Sequence, residues 1–167
     1  MNEPLAQIFR YNRWANARLI EACRPLTDAQ LDAEPGGGTF GTIRATLIHM
    51  TEGQRDCLAR LEGRSQASGV RGRWAGFDAL TDLANTTSDA LINAAEALVD
   101  DEDIVVPFMG KRPAFPKSFF LAHAAVHGIE HRTQIGVMLV RLGVPPPDLD
   151  GWPYAEAAGY GKEAPAP

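Results

Sequence analysis

A long apolar helical segment with evenly spaced histidines constrains this sequence more than any other feature. The stretch FFLAHAAVHGIEHRTQIGVMLVRLG holds three of the four histidines of the chain, at positions 123, 127 and 131. An α-helix turns by about 100° per residue, so apolar residues that recur every three or four positions form one buried face. The following apolar side chains lie within about 40° of the direction of His131: Phe120, Ala124, Ile135, Met138 and Leu142. The stretch is therefore predicted to be a core helix that carries imidazoles on its buried face.

The spacing limits how many of these histidines can bind one metal ion. Residues at i and i+4 are about 6 Å apart along the helix and can share an ion, whereas residues at i and i+8 are about 12 Å apart. His127 lies about 40° from the centre of the apolar face, and His123 lies about 80° from it. We therefore expect His127 and His131 to point into the core. Burying two imidazoles without partners is costly, which favours metal binding over simple hydrogen bonding. His123 is expected near the ligands or at the surface.

The remaining histidine, His49, lies in another helical segment, about 120° from the middle of its apolar stripe. By periodicity alone it is a boundary residue, although the small Gly53 on the same face would allow another helix to come close. Glu52 has three possible roles, as a fourth ligand, a proton acceptor or a solvated charge, of which the last is the most ordinary. Glu130 and Gln134 flank the histidine pair and are candidates for hydrogen bonds to the ligands.

Amphipathic periodicity and breaker residues divide most of the chain into four long helices. They are predicted at about 4–24, 42–62, 78–99 and 118–142. The segment IVVPFMGKRPAFPK precedes the last helix and has β-branched residues around Gly-Lys, which predicts a short hairpin or an extended crossover. Strand patterns are otherwise rare, so the predicted fold class is all-α, a four-helix bundle.

Local motifs indicate where these helices begin and end. Asn2 is predicted to cap the first helix and Asp78 the third, and Gly143 is predicted to stop the last. Thr27 and Gln30 have the spacing of a capping box. Cys23 and Cys57 lie in apolar helical patterns, outside any C-x-x-C motif, and are predicted to be buried, reduced thiols.

Composition excludes several classes of protein. A length of 167 residues suits one domain, and 45% apolar residues with a mean hydropathy of -0.18 are ordinary for a globular chain. No apolar run approaches the roughly 20 residues that span a bilayer, and the N-terminus is too polar for a signal peptide, so we expect a cytoplasmic protein. The net charge of -5, without a basic patch, argues against nucleic acid binding. We predict one domain over residues 1–155 and a flexible tail over residues 156–167.

Three motifs in order along the chain resemble the DinB-like (YfiT-like) metalloprotein superfamily. They are YNRWANARLI, GTFGTIRATLIHM and HGIEHRTQIG, and LGVPPPDLD is similar to the segment after the last helix of that family. The resemblance implies an up-up-down-down-type four-helix bundle, often dimeric. It also implies a divalent metal held by His49, His127 and His131. His123 has no place in this pattern.

Three neutral imidazoles would leave a coordination position for water or substrate, as in catalytic zinc sites, and both zinc and nickel suit such ligands. The superfamily is similar to S-transferases and isomerases that use low-molecular-weight thiols such as mycothiol or bacillithiol. In that chemistry the metal would lower the pKa of the thiol, and Glu52 could accept its proton. Metal-assisted hydrolysis is a variant with water in place of the thiol.

Two alternatives to an enzyme remain at this point. One is a non-catalytic metal-binding protein of the stress response, and the other is a structural bundle whose histidines are satisfied by hydrogen bonds. The expected partners are a small-molecule substrate or thiol and a second copy of the chain in a homodimer, with no nucleic acid and no membrane. An open metal position that faces a cleft would favour the enzyme.

Overall fold

The computed structural model describes residues 2–67, 69 and 72–161. Within these residues the chain forms six helices and one two-stranded sheet, so the prediction of a helical fold is confirmed. In chain order the elements are α1 (Glu3–Cys23), α2 (Asp28–Leu31), α3 (Ile43–Leu61), α4 (Phe77–Ala97), β1 (Asp103–Val105), β2 (Ala114–Pro116), α5 (Lys117–Arg141) and α6 (Gly151–Ala157).

Polar side chains cap the first two helices as the sequence predicts. The backbone N–H of Leu5 donates to Oδ1 of Asn2 at 3.4 Å. Thr27 and Gln30 form both halves of a capping box at the start of α2. Each cap provides acceptors for backbone N–H groups that have no partner inside the helix.

The predicted cap of the third long helix, Asp78, is wrong. Helix α4 begins one residue earlier, at Phe77, and its N-cap is Gly76 with φ 94° and ψ 167°. Only glycine adopts this backbone conformation without strain, which explains why the helix starts there. Asp78 instead lies in the first turn, where a negative charge is favourable beside the helix N-terminus.

The four long helices enclose two apolar clusters. α1 packs on α4 and α5, and α3 packs on the same two helices. One cluster includes Leu19, Ile20, Leu47, Met50, Ile135 and Met138. The other includes Phe9, Cys57, Leu91, Phe120 and Leu121. Both cysteines are free and buried, as predicted, and burial raises the pKa of each thiol to about 12.

A layer of buried polar side chains lies between these clusters along the helices. Its members are contributed by α1, α3, α4 and α5: Asn12, Asn16, Gln54, Thr87, Ser88, His131 and Arg132. The amide of Gln54 donates to Ser88 Oγ at 3.2 Å and accepts from Thr87 Oγ1 at 3.1 Å. Buried polar groups of this kind are tolerated when they are hydrogen-bonded to one another. We call this set the polar layer.

The segment before α5 is the hairpin that was one of the two predicted alternatives. β1 and β2 pair antiparallel, with Ile104 opposite Phe115. The turn is centred on Met109 and Gly110, one residue earlier than the predicted Gly-Lys pair. Met109 has a φ angle of 48° and Gly110 one of 74°. Positive φ at both central residues is typical of a two-residue hairpin turn.

Helix α6, beyond the last long helix, has no counterpart among the elements predicted from the sequence. Tyr154 of α6 packs edge-on against Tyr11 with ring centroids 5.5 Å apart. The boundary predicted between residues 155 and 156 falls inside this helix, and the Tyr160 hydroxyl donates to Oε1 of Gln7 at 2.9 Å. Residues 162–167 of the predicted tail lie outside the described residues, and the single domain stays a prediction. None of the described helices combines the length and apolar character needed to cross a bilayer.

Candidate metal centre

Three histidines from two helices converge at the polar layer, to which one of them, His131, belongs. Nε2 of His49 on α3 lies 2.9 Å from Nε2 of His127 on α5. One ring nitrogen from each of these residues and from His131 lies within 4.8 Å of the others. His131 is buried, and the other two are half-buried. The structure therefore brings together the three histidines that the sequence analysis singled out. We call them the histidine cluster.

Gly53 makes the approach of the two helices possible. It lies one turn after His49, and a Cβ atom at this position would be 2.4 Å from Cε1 of His127. Carbon atoms do not approach so closely, so any larger residue would displace the imidazole. The absence of a side chain at Gly53 therefore sets the position of His127 against α3.

A hydrogen bond fixes the orientation and tautomer of His131. Its Nδ1 lies 2.9 Å from Oε1 of Gln134. Because a carbonyl oxygen can only accept, Nδ1 carries the proton and the lone pair is on Nε2. The amide nitrogen of Gln134 in turn donates to Thr39 Oγ1 and Glu130 Oε1. The structure thus places both predicted flanking residues in one chain of hydrogen bonds to the cluster, an arrangement typical of metal-ligating histidines.

The environment of His127 favours its neutral form. Burial, followed by the neighbouring His131 and His49, lowers its pKa to about 3. His127 is therefore uncharged near neutral pH, which is the form that binds metal. Without an ion, the 2.9 Å distance between the Nε2 atoms of His49 and His127 allows one ring to donate an N–H to the other.

One side of the cluster opens to a cleft of about 240 Å³ lined in part by Phe40, His49 and Glu52. The ring of Phe40 stacks on His49 with centroids 3.9 Å apart. Phe40 lies in a glycine-rich segment without periodicity, so the sequence pattern gives no indication of this role. The cleft gives a small molecule access to one edge of the cluster.

Glu52 is not the solvated charge that its sequence position suggests. Its side chain is only 14% exposed and lies 3.5 Å from Arg55. Its Oε1 also accepts from the backbone N–H of Gly72 at 2.8 Å. Glu52 is not part of the cluster of potential ligand atoms within the described residues. It lines the cleft beside His49, where a carboxylate can accept a proton.

His123 lies outside the cluster and is exposed. Its ring centroid is 5.6 Å from that of His127 on one side and 6.3 Å from that of Phe119 on the other. This agrees with its predicted position on the flank of the apolar face.

The polar layer contains a buried arginine that the sequence analysis missed. Arg132 follows His131 directly, and its guanidinium donates to Oδ1 of Asn12 and of Asn16, both at 2.6 Å. It also lies over the ring of Tyr11 at 5.6 Å. Two asparagines, Asn12 and Asn16, among the apolar residues on the buried face of α1 were the available indication that a buried partner exists.

Gly53→Ala is expected to lower metal affinity by at least about tenfold, a loss comparable to removal of a hydrogen bond that orients a ligand. The new Cβ would push His127 away from its present position. The metal-free protein should keep its stability, because alanine is more favourable than glycine in a helix interior by about 1 kcal/mol. Equilibrium dialysis against zinc, with thermal unfolding of the metal-free form, would measure both effects.

Gly136→Ala on α5 is the matched control. Its added Cβ would meet only Pro146, at an ordinary contact distance of 3.9 Å. This variant should gain the same stabilisation from the helix propensity of alanine and keep full metal affinity. Equal affinities for the two variants would contradict the role given to Gly53.

The model of the DinB family matches residues 1–164, which is nearly the whole chain. No curated protein shows a significant match to the sequence.

Proposed function

We propose that this chain, which belongs to the DinB family, binds one divalent metal ion through His49, His127 and His131. We further propose that it uses the site in thiol S-transfer or in hydrolysis. The observation that carries the proposal is the convergence of one ring nitrogen from each of the three histidines to within 4.8 Å. Nitrogens bound to one tetrahedral zinc would be about 3.3 Å apart, given Zn–N distances of about 2.0–2.1 Å. The cluster is therefore close to the size of such a site.

The donor set supports zinc or nickel as the metal. Imidazole nitrogens suit both ions, whereas calcium and magnesium prefer oxygen ligands. Three protein ligands leave a position open, which is the layout of catalytic sites. A metal bound here would lower the pKa of a thiol or a water molecule in that position.

The residues around the cluster have separate roles in this proposal. Gln134 holds His131 with its Nε2 lone pair available for the metal, and Phe40 stacks on His49 and shields one face of its ring. Glu52 would accept the proton of a thiol or water that enters the cleft. Its bond to the Gly72 N–H keeps the carboxylate in place.

We propose that the chain folds as a four-helix bundle and that two copies form a homodimer. The four long helices and their mutual packing support the bundle. The back of α5 supports the dimer, because Val126, Ile129 and Val140 are 62%, 49% and 61% exposed within one chain. Exposed apolar surface of this kind marks an interaction site.

A non-catalytic metal-binding protein of the stress response is the second candidate. The observation in its favour is the small size of the cleft at the cluster, about 240 Å³, below the usual range of small-molecule sites. A transferase assay distinguishes the enzyme from the non-catalytic protein. It compares the zinc-loaded and metal-free forms in the transfer of a low-molecular-weight thiol to chlorodinitrobenzene. An acceleration that depends on metal supports the enzyme, and its absence with a panel of thiols and ester substrates supports the second candidate.

Metal content tests the proposal directly. Elemental mass spectrometry on protein purified without a histidine tag is expected to give one zinc or nickel ion per chain. Removing the ion with a chelator should lower the melting temperature by roughly 5–10 °C, because a ligand at about 100 times its dissociation constant contributes about 2.7 kcal/mol. Protein that takes up no metal even after reconstitution would contradict the site and leave a structural bundle with hydrogen-bonded histidines.

A further inference from the structure

A second cleft, of about 360 Å³, lies between the hairpin and α5, one helical turn from the histidine cluster. Four phenylalanines form most of its walls: Phe108, Phe115, Phe119 and Phe120. Two of them remain accessible, since Phe108 is 56% exposed and Phe119 is 47% exposed. A concave, mostly apolar site with few polar groups is typical of small-molecule binding. We call it the aromatic cleft.

A continuous row of rings connects the aromatic cleft to the histidine cluster. Phe119 stacks on Phe115 with centroids 5.2 Å apart, and His123 follows Phe119 at 6.3 Å. His127 follows His123 at 5.6 Å. Residues four apart on α5 stand above one another on the same face, which produces the row. His123 is thus the only residue of the row between the cleft and a member of the cluster.

Two polar side chains of the aromatic cleft, Arg60 and His123, can carry positive charge. Nε of Arg60 donates to the carbonyl of Ser65 at 3.3 Å. Among the residues that the structure describes, no carboxylate pairs with Arg60. Of these two side chains, the guanidinium is the one that stays charged across the physiological pH range. The cleft therefore combines apolar walls with one unneutralised cation.

The position of Arg60 gives the length of a ligand that would reach both sites. Arg60 lies seven residues after Gly53, which contacts His127, and so about 10 Å further along α3. A molecule with its anionic group at Arg60 would need an apolar body of about this length to approach the cluster past His123. An arylalkyl carboxylate has these dimensions and this chemistry.

We propose that the aromatic cleft binds the organic substrate of the metal site, and that this substrate is an apolar, aryl-containing carboxylic acid whose carboxylate pairs with Arg60. The metal site in this inference rests on the proposed function, whereas the substrate class rests on the residues that line the aromatic cleft. His123 acts in it as the residue that separates the bound acid from the metal ligands. The phenylalanine walls select an apolar body, and Arg60 selects the acid over neutral analogues.

Calorimetric titration with 4-phenylbutyrate and with its uncharged amide tests the substrate class. The acid is expected to bind at least about tenfold more tightly than the amide, because a hydrogen bond to a charged partner contributes about 1.5–3 kcal/mol. Arg60→Gln should remove this preference. Arg64→Gln is the matched control, since Arg64 is exposed and pairs with Glu62 instead. Equal affinity for acid and amide, or an unchanged preference in Arg60→Gln, would overturn the proposal.

Spectroscopy on cobalt-substituted protein tests the link between the aromatic cleft and the cluster. Addition of 4-phenylbutyrate is expected to shift the visible absorption of bound cobalt in the wild type and to leave that of Arg60→Gln unchanged. Tight binding of the acid without a spectral change would overturn the link to the metal. If the protein binds the acid but takes up no cobalt, the proposed function fails and the substrate class survives as a property of the aromatic cleft alone.

A second copy of the chain is the competing occupant of the aromatic cleft. Phe119→Ser separates the two cases when the oligomeric state is measured by light scattering together with ligand binding. The proposal predicts weaker binding of 4-phenylbutyrate and an unchanged oligomer. A dimer that dissociates in this variant, together with no binding of the acid by the wild type, would overturn it.

Discussion

His127→Ala is expected to abolish tight metal binding. This residue contributes one of the three rings of the cluster, with Nε2 of His49 2.9 Å from its own Nε2 and the ring of His131 at 4.3 Å between centroids. Loss of an orienting partner lowers metal affinity by about 10- to 100-fold, so loss of a ligand itself should lower it by more than about 100-fold. Metal content after dialysis against a limiting zinc buffer, measured by elemental mass spectrometry, would show a fall from one ion per chain to none.

His123→Ala is the matched control for this prediction. It removes the same type of side chain from the same helix, one turn away, and His123 lies outside the cluster. It should retain one ion per chain. His49→Ala and His131→Ala should behave like His127→Ala. Loss of metal in His123→Ala, or retention in any of the other three, would contradict the assignment of ligands.

Periodicity alone could predict the pair on α5 because both histidines lie near the centre of an apolar stripe that the core buries. His49 could not be assigned in this way. The apolar stripe of α3 faces the clusters of the core, whereas His49 lies beside it and is only half-buried. The ring meets α5 because Gly53 lets the two backbones approach. The position of His49 thus depends on a contact between distant segments, and only the resemblance to a family identified it.

Other features depended on contacts that a linear pattern does not contain. Glu52 lies three residues after His49, a spacing that is equally compatible with a solvated carboxylate. In the structure, hydrogen bonds from the backbone of Gly72 and the side chain of Arg55 hold it in the cleft. Helix α6 is short and rich in aromatic residues, and its packing against α1 makes it recognisable only in three dimensions. The caps at Asn2 and Thr27 were predictable because they need only residues within one turn.

Arg132→Met is expected to lower the free energy of unfolding by about 3 kcal/mol or more, because each buried amide oxygen left without a donor costs about 1–3 kcal/mol. The guanidinium joins α1 to α5 through Asn12 and Asn16, and all three residues are at most 4% exposed. Burial lowers the pKa of Arg132 to about 10, so it stays charged at neutral pH. Urea unfolding of the metal-free proteins measures the loss separately from any effect on the metal.

Arg13→Met on α1 is the control for the loss of an arginine as such. Arg13 is 45% exposed and pairs with Asp89 at the surface, so its removal should cost less than about 1 kcal/mol. Arg132→Lys should fall between the two variants, because an ammonium keeps the charge but lacks the planar fork that spans two oxygens. A loss below about 1 kcal/mol in Arg132→Met would contradict the structural role, since it falls under the cost of even one unsatisfied group.

Arg132, Asn12 and Asn16 form a hydrogen-bonded network, and all three can be replaced together. The stability of this variant distinguishes the cost of unsatisfied polar groups from the cost of lost packing. In Asn12→Leu/Asn16→Leu/Arg132→Met no buried donor or acceptor of this network remains, and such joint replacement can be nearly neutral. We expect the triple variant to recover most of the stability that Arg132→Met loses. If the network serves to hold α5 in register beside the histidine cluster, the triple variant should be stable and still bind metal more weakly than the wild type. Full stability with unchanged metal affinity would show that the polar layer stabilises the fold without positioning the site.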